Sequence, residues 1–219
     1  MIFFDLDDTL LDHQTADYNA VTDFYKTISI AMSLPEFLAA WRAAQERHYV
    51  RYYAGEISFQ QQRRERLREV IDSTLNDEAA DRIFARYLNG YESHWVLFDD
   101  VLPCFERLST HRLGLITNGD GILQRRKLAK TGITDKFDCI VISDECGYAK
   151  PDKEIFLYAC ELAGEDPKNS VHIGDRINLD AQGACNAGLR GIWLNRKSAV
   201  ASDCTTLVIA SLDALPAVL

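Results

Sequence analysis

Two aspartates with one residue between them, Asp5 and Asp7, follow the apolar run Ile2-Phe3-Phe4 at the start of the chain. Paired carboxylates can attack an electrophile, pass a proton or hold a cation. Ile2-Phe3-Phe4 has the length and β-propensity of a buried strand, and a strand ending on Asp-x-Asp delivers carboxylates to the sheet end where α/β proteins place ligands. Strand alternation would point Asp5 and Asp7 the same way. Like charges that close require a cation, or a raised pKa on one of them. The plainer alternative is an Asp-rich turn after a strand, since aspartate also favours turns and caps.

Three further segments carry residues of the same kind. Thr117-Asn118-Gly119 offers a hydroxyl, an amide and backbone N–H groups near a helix start, suited to a phosphate or to a plain capped turn. Lys150-Pro151-Asp152 sets a cation just before a helix, with proline keeping the helix from running back through it. Gly174-Asp175 follows a strand, with Asp180 five residues beyond Asp175. This second acidic pair suits a hard metal, although Asp175 alone would also serve as an N-cap.

The elements that must position these residues fall into two patterns. From Thr15 to about Trp95 the sequence is helical, with Ser33-x-x-Glu36 (Pro35 in the first turn) and Ser58-x-x-Gln61 as capping boxes. Gly55 marks a break between long helices. Ile83, Phe84, Tyr87, Leu88, Tyr91 and Trp95 form an apolar stripe suited to the core of a four-helix bundle. From about Val101 strands alternate with helices: strands at 113–116, 137–143, 171–173 and 191–194, a short edge strand at 206–209, and helices near 121–131, 152–163 and 178–187. Such alternation predicts a parallel Rossmann-like sheet with helices on both faces. The expected organisation is an α/β core made of residues 1–12 and 96–219, with 13–95 inserted after the first strand.

Length and composition are those of an ordinary globular protein, with no bilayer-length apolar run and no basic leader at the N-terminus. Six cysteines (104, 139, 146, 160, 185, 204) lack metal or disulfide spacing and are expected as free thiols in a reducing cytoplasm. A formal charge of −9 argues against nucleic acid as a partner. Between Trp41 and Arg68, however, seven arginines (42, 47, 51, 63, 64, 66, 68) face three glutamates (46, 56, 65). That stretch reads as a solvated helix face with Glu–Arg pairs, or as an anion-facing patch.

Asp5-x-Asp7-x-Thr9, Thr117-Asn118, Lys150-Pro151 and Gly174-Asp175-x-x-x-x-Asp180 occur in an order that resembles the haloacid dehalogenase (HAD) superfamily, in particular its phosphatases with a small helical (C1) cap inserted after the first motif. The resemblance spans the chain, and Asp180-Ala-Gln-Gly-Ala184 with Gly188-Leu-Arg-Gly191 is similar to the helix following the last motif. It implies Asp5 as nucleophile and Asp7 as acid and base. Mg²⁺ would be held by the Asp5 carboxylate, the Asp7 carbonyl and Asp175, with Asp180 supporting the metal or Lys150 from behind. Thr117, the backbone of Asn118 and Gly119, and Lys150 would hold the phosphoryl oxygens. The implied substrate is a small phosphate ester, handled by a monomer or homodimer with neither membrane nor nucleic acid as partner.

The same resemblance leaves a 2-haloacid dehalogenase and a phosphomutase as rivals, and a binding protein that has lost turnover as a further one. A dehalogenase does not keep the second aspartate as acid and base, so Asp7 favours phosphoryl transfer; an inactive binder would be expected to have lost a carboxylate or Lys150. Many family members carry glycine where this chain has Asp8, and a small residue where it has Arg176. Arg47, Arg51, Tyr52 and Arg63 are candidates for substrate selection in the inserted segment.

Overall fold

The structure, a computed structural model, describes residues 1–197 and 206–219, with only the backbone of Tyr53. Cys204 lies outside the described residues. The chain divides into two compact units, Met1–Asp12 with Val96–Leu219, and His13–Trp95.

Among the described residues of the first unit six parallel strands run in the order β3-β2-β1-β4-β5-β6. They are β1 (Ile2–Phe4), β2 (Leu113–Thr117), β3 (Cys139–Ile142), β4 (Val171–Gly174), β5 (Arg190–Leu194) and β6 (Leu207–Ile209). β1 lies between β2 and β4, so the strand order reverses beside it and its C-terminal end is the place where such sheets bind ligands. Its run of apolar residues fits burial on both faces. Phe3 packs with Ile116, Val141, Ile155 and Phe156, while Phe4 meets Phe105 edge to face at 5.5 Å. Each buried phenylalanine contributes roughly 1.5–3 kcal/mol, enough to fix β1 in the centre of the sheet.

The helices of the second unit are α1 (His13–Tyr25), α2 (Leu34–Tyr53), α3 (Phe59–Val70) and α4 (Asp77–Ser93). Glu36 accepts from the Ser33 amide at 2.8 Å, and Ser58 Oγ accepts from the Gln61 amide at 3.1 Å, so both capping boxes form. Trp41 anchors this core, 5.0 Å from Tyr87 and 5.5 Å from Phe24, with the Arg66 guanidinium 4.5 Å above its ring. The basic stretch is largely neutralised by carboxylates beyond the segment itself. Arg47 pairs with Glu69, Arg64 with Asp77 and Asp81, and Arg68 with Asp77 and Glu65, while Arg51 meets Glu56. Arg63 lies 4.3 Å over Phe59, and Tyr52 packs on the same ring. The solvated, paired face is therefore the better description of this region.

The remaining helices belong to the first unit: α5 (Val101–Arg107), α6 (Gly121–Thr131), α7 (Ser143–Cys146), α8 (Lys153–Ala163) and α9 (Gly183–Asn186). Two expectations need correcting. The strand expected over 137–143 is confined to Cys139–Ile142, because Ser143 opens α7 and Phe137 closes a 3-10 turn. The helix expected near 178–187 starts as a π-helix, Ile177–Gln182, before α9. The wide turn puts Asp180 under the end of β4, where its carboxylate receives the Arg176 amide at 2.9 Å.

Candidate active site

Asp5 extends the β1 ladder by one bond, its amide donating to Ile173 O at 2.9 Å. The chain then leaves strand geometry: the amides of Leu10 and Leu11 both return to Leu6 O. Strand alternation consequently does not govern Asp7. Asp8 takes a positive φ of 59°, which aspartate tolerates better than most residues and glycine best of all.

The turn brings Asp5 to a buried cation. Lys150 Nζ donates to Asp5 Oδ1 and to Asp180 Oδ1, each at 2.6 Å. Asn118, just after β2, fixes the lysine backbone, its side-chain amide donating to Lys150 O at 2.9 Å while Lys150 N donates to Asn118 Oδ1 at 2.8 Å. The Asn118 side chain is thus a strut for Lys150. Thr117, at the last position of β2, is buried with its Oγ1 2.7 Å from Gln124 Nε2. The Gly119 amide donates to Ser143 Oγ at 2.9 Å. Gly119 has a φ of 135°, a left-handed value that glycine adopts freely.

Asp175 leaves β4 with its amide donating to Thr9 Oγ1 at 3.0 Å, and that hydroxyl also approaches Asp5 Oδ2 at 3.3 Å. Trp193 Nε1 donates to Asp175 O at 2.8 Å. His172, fully buried, places Nε2 3.2 Å from Asp180 Oδ1. Gly174 is required by this packing: a Cβ there would lie 2.2 Å from Asp180 Cγ.

Asp5, Asp175 and Asp180 each offer an oxygen within 4.8 Å of the others. Burial raises the Asp5 carboxyl to about 7, against the pull of Lys150. Burial, then Asp5 and Asp180, raise Asp175 to about 8. For Asp180 burial acts upward but is outweighed by Lys150 and His172, which hold its carboxyl well below the usual range. Lys150 is held ionised by Asp180 and Asp5 despite its burial, which acts the other way. Asp5 and Asp180 thus share one buried ammonium with Asp175 close by, and a hard cation would relieve the excess negative charge.

Asp7 takes a different cation. Lys127 Nζ lies 2.7 Å from both Asp7 oxygens, and Gln124 Nε2 lies 3.2 Å from Asp7 Oδ2. The structure therefore unites Asp5, Lys150, Asp175 and Asp180 and turns the Asp7 side chain toward α6. Thr9 belongs to the first sequence motif without a role of its own there, and Gln124, Lys127 and His172 are not among the residues singled out from the sequence. Gln124 and Lys127 lie on the α6 face that also buries Leu128, and nothing in their residue types marks them, since polar residues on a helix normally face water.

A family model described as haloacid dehalogenase-like hydrolase matches residues 1–188. The chain is 32% identical over 196 residues to the pyrimidine 5'-nucleotidase YjjG of Escherichia coli, covering 89% of this chain and 85% of that protein. It is 29% identical over 229 residues to the N-acylneuraminate-9-phosphatase of Mus musculus, covering 100% of this chain and 92% of the relative. The crystal structure of the HAD-hydrolase YfnB from Bacillus subtilis, bound to magnesium, superposes with a TM-score of 0.81 at 23% identity, covering 99% of this chain and 96% of that one. This chain belongs to the haloacid dehalogenase-like hydrolases.

Proposed function

We propose that the protein is a Mg²⁺-dependent phosphomonoester hydrolase in which Asp5 is the nucleophile. The observation that carries this reading is the buried Asp5–Lys150–Asp180 chain beside Asp175 at the end of β1. A carboxylate set against an ammonium, with further carboxyls able to share a cation, suits attack on an anionic phosphoryl group.

The hard oxygen donors and the uncompensated negative charge fit Mg²⁺, with the Asp5 carboxylate, the Asp7 carbonyl and Asp175 as ligands and Asp180 holding Lys150 behind them. The bound ion would neutralise phosphoryl charge and let Asp5 approach it. Asp5 then attacks phosphorus, forming an Asp5–O–P bond as the P–O bond to the leaving group breaks. Asp7 gives its proton to the departing oxygen. Water next attacks phosphorus, Asp7 takes the water proton, and the Asp5–O–P bond breaks to release phosphate. Thr117, the Asn118 backbone and Lys150 hold the phosphoryl oxygens; to use the Gly119 amide as well, the phosphoryl group must displace Ser143 Oγ.

The substrate class is a small phosphorylated metabolite: a nucleoside monophosphate, a sugar phosphate or a phospho-acid. The relatives named above act on esters of the first two kinds by name. The inserted helices are proposed to serve as a cap that selects among such esters. Among the described residues no helix is long and apolar enough to cross a membrane, and the five described cysteines are free thiols, which supports a cytoplasmic setting.

The test is hydrolysis of p-nitrophenyl phosphate with Mg²⁺ and with EDTA, alongside chloride release from a 2-haloacid. Metal-dependent phosphate release without chloride release is expected. Chloride release with no phosphatase turnover would favour the dehalogenase.

A further inference from the structure

We propose that Gln124 and Lys127 are positioning residues for proton transfer, holding the Asp7 carboxyl in register with the phosphate-binding hydroxyl of Thr117. They stand one turn apart on α6 and are almost inaccessible, at 1% and 3% exposure. Gln124 Nε2 reaches Thr117 Oγ1 at 2.7 Å, Asp7 Oδ2 at 3.2 Å and Asn118 O at 3.3 Å, so one amide joins the end of β2 to the turn after β1. Lys127 Nζ contacts both Asp7 oxygens at 2.7 Å. When one carboxyl oxygen carries a proton, the other still accepts from the ammonium, so the group stays anchored through both halves of the reaction. α6 itself is fixed at its start, where Asp120 accepts from the Leu123 amide at 2.8 Å and Asp144 from the Gly121 amide at 3.1 Å.

A general acid acts only within hydrogen-bond reach of the leaving oxygen. Asp7 stands on a tight turn, outside the sheet, and no strand ladder fixes its side chain. The two donors on α6 supply that fixation, as preorganised sites require. Burying an ammonium costs several kcal/mol before its partner offsets it, so this lysine is an expensive way to tie down a turn that has no task.

The inference rests on the phosphomonoesterase reading, and the experiment separates the two. kcat/KM would be measured with Mg²⁺ for p-nitrophenyl phosphate, whose leaving group departs without a proton, and for phenyl phosphate, whose leaving group is helped by one. Lys127→Met is expected to lower kcat/KM about 30-fold for phenyl phosphate but only about threefold for p-nitrophenyl phosphate, a fraction of the full value of general acid catalysis. Lys127→Arg should restore most of the loss, and Gln124→Met should show the same asymmetry more weakly. Equal losses on both esters would overturn the inference and leave the pair a structural tie. If Lys127→Met does not fold, Gln124→Met decides by the same ratio. Wild-type protein inactive on both esters would defeat the phosphomonoesterase reading and this inference with it; active wild type with equal losses would defeat this inference alone.

Discussion

Lys150 Nζ donates to Asp5 Oδ1 across 2.6 Å, joining residues 145 positions apart in the sequence. Asp180 receives the same ammonium at 2.6 Å, so one lysine serves two buried carboxylates. Lys150→Met would leave both without it. Breaking a buried pair in this way costs about 3–5 kcal/mol, which lowers the thermal midpoint by roughly 6–20 °C at this chain length. Phosphatase turnover should fall at least about 10²-fold through loss of transition-state stabilisation. Melting curves and steady-state rates on the purified variant check both numbers.

The raised Asp5 and Asp175 carboxyls make stability depend on pH and on metal together. Their folded values, about 7 and about 8, lie above the ordinary carboxylate value of ~3.9. Without metal the folded protein therefore binds more protons than the unfolded chain between these limits. The resulting stability is fully present below about pH 4 and is lost as pH rises through 7 to 8. Asp180 stays ionised across this window and adds no slope there. In EDTA the melting temperature should fall between pH 6 and pH 8.5, and saturating Mg²⁺ should raise it more at pH 8.5 than at pH 6. A Mg²⁺ effect of equal size at both pH values would contradict the carboxyl assignment.

Gly174 tests how closely Asp180 must approach the sheet. A Cβ at this position would lie 2.2 Å from Asp180 Cγ and 2.4 Å from Oδ2, so Gly174→Ala must push the carboxylate away from Lys150. A loss of about 1–3 kcal/mol is expected from such overpacking, together with a fall in kcat. Unchanged kcat in a folded Gly174→Ala protein would show that Asp180 does not need its observed place.

Asp8 marks a point where the sequence departs from a common family choice and the backbone explains the departure. Its φ of 59° suits glycine, and aspartate is among the residues that tolerate it. Asp8→Gly should leave stability within about 1 kcal/mol, whereas Asp8→Val should lower it by about 1–2 kcal/mol, because β-branching makes this conformation harder to hold. Denaturant midpoints of the three proteins give the comparison.

Much of the architecture was legible because local signals agreed with the tertiary ones. Ile2-Phe3-Phe4 reads as a buried strand, and all three residues are buried in β1. Ser33 and Ser58 open helices where their capping boxes say they should. Strand ends at Thr117 and Gly174 lie close to the expected positions. The strand over 137–143 was over-extended because Phe137 and Ser143 have ordinary strand neighbours but are claimed by turns. The π-helical stretch at Ile177–Gln182 has no pattern of its own; its form follows from lodging Asp180 beneath Gly174. At the site, Asp5 and Asp175 stand out at strand ends, Lys150 through its place before a helix and Asp180 through its spacing from Asp175. Lys127 and Gln124 did not, since a lysine and a glutamine on a helix normally face water. Only the fold reveals that this pair is buried against Asp7.

Phosphoryl transfer through Asp5 is open to direct measurement. Wild-type protein and Asp5→Asn would be mixed with p-nitrophenyl phosphate and Mg²⁺, quenched in acid within the first turnovers, digested and examined by mass spectrometry. With Asp5 as the nucleophile, the wild type carries a phosphoryl group on Asp5 in its N-terminal peptide, and Asp5→Asn shows neither adduct nor turnover. A phosphoryl group on another residue, or an Asp5→Asn protein that turns over at the wild-type rate, would contradict it.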